Sequence, residues 1–133
     1  MAQPSQFELS TEQYLEATFY GASSIADVQF WAAPVKCQVV AVREVHAVAG
    51  DDAGTVTGTV RRCQGTEAAT AGDDLLGTTK INLKGTALTE QTPALTSTTA
   101  NLTLDAGDRL SLDVTGTTTT LAGVILTVLL KRV

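Results

Sequence analysis

From Leu15 onward, apolar residues come in short alternating or continuous runs separated by clusters of Gly, Asp and Thr, without the three-to-four spacing of an amphipathic helix. The pattern predicts strands over 15–22, 26–32, 36–48, 54–63, 75–83, 94–104, 109–114 and 121–132. Leu110, Leu112 and Val114 alternate with Ser111, Asp113 and Thr115, which gives that strand one buried and one wet face. The last strand differs. In Gly123-Val124-Ile125-Leu126-Thr127-Val128-Leu129-Leu130 both faces are apolar, as in a central strand or one covered by a neighbouring subunit.

The punctuation between the runs has turn chemistry. Gly50-Asp51-Asp52-Ala53-Gly54, Gly72-Asp73-Asp74, Asp105-Ala106-Gly107-Asp108 and Gly116-Thr117-Thr118 supply positive-φ positions and side-chain acceptors for backbone N–H groups. About eight short strands with turn signals at this spacing predict an all-β fold, an antiparallel β-sandwich of jelly-roll type. Residues 1–14 are polar and irregular, with a Ser-x-x-Gln capping box at Ser10 to Gln13. They read as an N-terminal arm ahead of a sandwich domain at 15–133.

Composition sharpens this picture. At 133 residues the chain is long enough for one core and too short for two. Thr, Val, Ala and Gly dominate, and β-branched residues suit pleated strands. A net charge of −5, with no basic cluster larger than Arg61-Arg62 or Lys131-Arg132, sets a phosphate backbone aside as a partner. No apolar run is long enough to cross a bilayer as a helix, so no membrane partner is expected. Met1 to Gln6 lack the basic start and apolar stretch of a secretory signal, so synthesis in a cytosol is expected.

Groups that could carry chemistry are few. His46 is the only histidine, and its strand position fits a residue either hydrogen-bonded in the core or half exposed better than a metal ligand. Asp51-Asp52, Asp73-Asp74 and the Asp105/Asp108 pair offer oxygen ligands, but none has the spacing of a calcium loop, and soluble turns use the same residues. Phe19, Phe30 and Trp31 form the main aromatic group, read as core or interface packing with a sugar-stacking platform as the rival. Cys37 and Cys63 sit at mirrored positions about Gly50, so a hairpin of 36–48 with 54–63 would bring the two thiols together, with free thiols expected in a cytosol. Asn101-Leu102-Thr103 matches a glycosylation sequon and reads as ordinary strand sequence. No cofactor and no enzymatic activity are expected.

The chain from Lys36 to Val133 resembles small virion structural proteins of tailed bacteriophages, of the head-decoration or cement type. The resemblance is carried by Cys37-Gln38-Val39-Val40-Ala41-Val42-Arg43-Glu44-Val45-His46, Asn82-Leu83-Lys84-Gly85-Thr86-Ala87, Leu104-Asp105-Ala106-Gly107-Asp108-Arg109-Leu110-Ser111-Leu112-Asp113 and Leu121 to Lys131. It implies a place on the virion, on the outside of the capsid, with the major capsid protein and sister copies of the chain, as a homotrimer, for partners. Phe7, Leu9 and Tyr14 in the arm, with Phe30 and Trp31, are the expected capsid- or subunit-contact residues. The rival reading is a receptor- or glycan-binding module of a phage tail or head fibre.

Overall fold

The computed structural model describes residues 13–133. Among them are nine strands: β1 (Tyr14–Gly21), β2 (Val28–Ala32), β3 (Cys37–Val45), β4 (Thr57–Cys63), β5 (Asp73–Asp74), β6 (Ile81–Asn82), β7 (Thr103–Leu104), β8 (Arg109–Thr115) and β9 (Val124–Arg132). The one helical element among these residues is a 3-10 turn at Thr99–Leu102.

The strands pair from the outside inward. β1 runs antiparallel to β9, β2 to β8, β3 to β7 and β4 to β5. The chain is thus one long hairpin whose two arms lie side by side, rolled so that successive pairs fall in alternate sheets. One sheet has the order β1-β9-β3-β7 and the other β2-β8-β4-β5, with β6 also on β4. This is the jelly-roll arrangement that the spacing of strands and turns predicts.

Alternation decides which side chains enter the core. Ala17, Val39, Val42, Val124, Leu126, Val128 and Leu130 from the β9 sheet meet Val60, Leu110 and Leu112 from the β8 sheet in a single buried cluster. Full burial of a Leu or Val stabilises by about 1.5–3 kcal/mol, so this layer dominates the fold's energetics. A register shift between Val39 and Ala41 inserts an extra residue into β3, and Val40 is left outside at 40% exposure. β9 is the centre of its sheet, between β1 and β3, so only its even-numbered side chains are absorbed by the core.

Three expectations need correction. The predicted strands 75–83 and 94–104 shrink to β6 and β7, with β5 falling just before the first, although Leu75, Leu76, Ile81, Leu83, Leu102 and Leu104 are all buried. Their backbones reach the sheet through single hydrogen bonds, Leu75 N–H to Val60 and Leu83 N–H to Val56, because Gly77, Gly85 and Pro93 interrupt any longer ladder. The segments 36–48 and 54–63 form no hairpin, since β3 and β4 lie in opposite sheets. Tyr14, placed at the end of the arm by the sequence, opens β1 opposite Lys131.

The acidic turns close themselves. The Asp108 carboxylate accepts the Asp105 N–H at 2.9 Å, and Gly107 between them takes φ +93°. Asp52 accepts the N–H groups of Thr117 and Gly54, and these bonds, Thr117 first, hold its carboxyl below the usual carboxylate range. Asp73 pairs with Arg62 at 2.6 Å, and Asp74 with Lys80 and the Leu76 N–H. The carboxylates of Asp51, Asp52, Asp73, Asp74 and Asp108 thus each have a structural partner, that of Asp51 being the Thr120 hydroxyl.

Candidate interaction face

The two outer faces of the sandwich differ in what covers them. On the β8 sheet, the outward row Arg61, Cys63, Arg109, Ser111 and Asp113 lies beneath the loop 64–72. Ser111 Oγ donates to the Ala69 carbonyl at 2.7 Å and Cys63 Sγ to that of Ala68 at 3.3 Å. Arg61 and Arg109 bind the carbonyls of Gly72 and Gly65. Ser111 is fully buried in consequence, so the face expected to be wet is roofed by the chain's own loop.

On the β9 sheet the outward residues form cross-strand rows. Tyr20, Ile125 and Val45 make one, Thr18, Thr127 and Arg43 the next, Glu16, Leu129 and Ala41 a third, and Tyr14, Lys131 and Gln38 the last. Tyr20 is 64% exposed, Tyr14 55% and Ile125 41%. With Val40 they make a broad, partly apolar face that no other described segment roofs, crossed by a few charges. Arg43 and Glu90 approach to 4.0 Å at its margin, both exposed, where an ion pair contributes little.

Beneath one corner of this face lies a buried polar group. Glu44 and His46 are both under 2% exposed. His46 Nδ1 is 2.8 Å from Glu44 Oε2 and His46 Nε2 is 2.9 Å from the Gly85 carbonyl. Gln91 donates to Glu44 Oε1 at 2.9 Å, and its backbone exchanges two hydrogen bonds with that of Glu44. The set fastens the segment 82–91 to β3. Of the two settings expected for His46, the structure shows the hydrogen-bonded core one.

The predicted contact residues do not form one patch. Phe7 and Leu9 lie outside the described residues. Tyr14 stands on the open face of the β9 sheet. Phe30 and Trp31 belong to β2 in the other sheet, half-buried against the core, with the Phe30 ring tilted onto Phe19 at 5.9 Å between centroids. Both rings pack against the core and remain partly exposed. The sequence reading missed Tyr20, Val40, Val45, Ile125 and Leu129 as surface residues. For Ile125 and Leu129 the signal was the doubly apolar last strand, read as central or covered by a neighbouring subunit.

No family model, curated protein or solved structure matches the chain.

Proposed function

We propose that the chain is a non-enzymatic structural protein of a tailed-phage virion, a decoration protein that binds the outside of the head and clamps neighbouring major capsid subunits. The observation that carries this reading is the asymmetry of the sandwich. One sheet is roofed by the loop 64–72, while the other presents Tyr14, Tyr20, Val40 and Ile125 to solvent on its longest strands. Exposed apolar side chains gathered on one face, here interrupted by Glu16, Thr18 and Arg43, are a feature of interaction surfaces. A rigid sheet also presents them without a folding cost at the moment of binding. Attachment to the assembled shell alone raises the shell's apparent stability by mass action, and self-association adds avidity to modest contacts.

Electron microscopy of virions labelled through this protein tests the assignment. Label spread over the head supports decoration. Label confined to tail tips or fibres contradicts it.

A further inference from the structure

We infer that two copies of the chain join edge to edge through β1, across a two-fold axis at Ala17, merging two four-stranded sheets into one continuous sheet. The argument starts from the sheet edges. Long, flat edge strands invite pairing with another chain, and natural edges are blunted by short strands, bulges, prolines or lysines. Three of the four edges here are blunted: β5 and β7 are two residues long, and β2 carries a register shift between Gln29 and Trp31. β1 is eight residues long, pairs with β9 without a shift and holds neither Pro nor Lys. Among the described residues nothing pairs with its other edge.

The backbone phase selects how a second β1 would dock. Arg132 N–H donates to the Gln13 carbonyl, which sets the odd-numbered residues of β1 bonding to β9. In an antiparallel ladder the alternate residues then turn their N–H and C=O groups to the free edge. These are Tyr14, Glu16, Thr18 and Tyr20. Self-pairing must match even residues with even residues, and centring it on Ala17 does so over nearly the whole strand.

The side chains agree with that register. Tyr-Leu-Glu-Ala-Thr-Phe-Tyr reads nearly the same from either end. Tyr14 falls opposite Tyr20 of the second copy and Glu16 opposite Thr18, both on the outward face. Leu15 falls opposite Phe19 on the inward side, where both are only half-buried in a single copy. Ala17 meets Ala17 at the close, non-hydrogen-bonded position, where a small side chain suits the approach. Shifting the axis to Glu16 keeps the phase but sets Glu16 against Glu16, and like charges directly opposite are unfavourable. The strand is therefore self-complementary in the way an isologous contact requires, in place of the three-fold expected from the sequence.

Sedimentation of the full chain at micromolar concentration, with three variants, tests this. The wild type should sediment at twice 13.8 kDa. Thr18→Pro removes a free-edge N–H and spares the bonds to β9, so it should give a monomer with nearly unchanged melting. Thr18→Glu sets two carboxylates opposite each other and should weaken the dimer several-fold, and adding Glu16→Lys should restore it. A wild-type monomer, a three-fold mass, a Thr18→Pro dimer, or a Thr18→Glu dimer as tight as wild type overturns the inference.

Discussion

His46 and Glu44 share a proton in the interior of the sandwich, with Nδ1 and Oε2 2.8 Å apart and Nε2 2.9 Å from the Gly85 carbonyl. A carbonyl only accepts, so Nε2 must donate to it, and the contact with Glu44 then requires one more proton, on either Nδ1 or the carboxyl. Without that proton, a lone pair on the ring would face a carboxylate away from water.

The first prediction follows from this proton. Burial pushes the Glu44 carboxyl above its ordinary value, against the opposing pull of its bonds to His46 and Gln91. A raised carboxyl contributes stability that is complete below its unfolded value, about 4.3, and is lost as the pH rises through the folded value. The melting temperature should therefore fall as the pH rises above that unfolded value. Glu44→Gln should flatten the profile, because its amide can donate to Nδ1 and accept from Gln91 with the histidine neutral. A wild-type profile that is flat or rises over this range would contradict the shared proton.

Neighbouring residues on β9 should behave oppositely. Leu126 is fully buried and Ile125 faces outward. Leu126→Asp places an unpaired charge in the core at about 3–5 kcal/mol, a large part of a typical domain's stability, so soluble protein should be lost. Ile125→Asp should leave folding intact and weaken attachment to heads. Equal losses of soluble protein from both variants would show that the outward face is structural.

How much of this was legible depended on whether a signal is local. Alternation in β1 writes burial directly into the sequence, and the turn residues bound each run, whereas β9 reads apolar on both faces and buries only one. Between 75 and 104 the same apolar spacing buries leucines along an irregular path, since burial constrains side chains and leaves the ladder optional. The β3 to β4 connection reads like a hairpin because nothing in Gly50 to Gly54 says which sheet receives the next strand. Ser111 reads as wet because its roof comes from residues some 40 positions away, bound at Ala69.

The cysteines illustrate the same limit and give a third prediction. Cys37 belongs to the inter-sheet core, whereas Cys63 lies on the outer side of the β8 sheet beneath the loop 64–72, bonded to Ser111 and Ala68. Both thiols are free and buried, and burial, with Asp108 adding to it, pushes the Cys37 thiol up. Thiol reagents should react slowly with the native chain and find two free groups once it is denatured without reductant. An intramolecular crosslink found by mass would contradict the sheet assignment.

The central claim, attachment to the head through the open face of the β9 sheet, is tested most directly by a cryo-EM reconstruction of the virion at side-chain resolution. The account predicts jelly-roll density on the outer surface of the head, with Tyr20, Val45 and Ile125 turned toward the major capsid protein and the loop 64–72 turned away. Density on the tail, or a head-bound copy seated on the β8 sheet with Tyr20 and Ile125 in solvent, would contradict it.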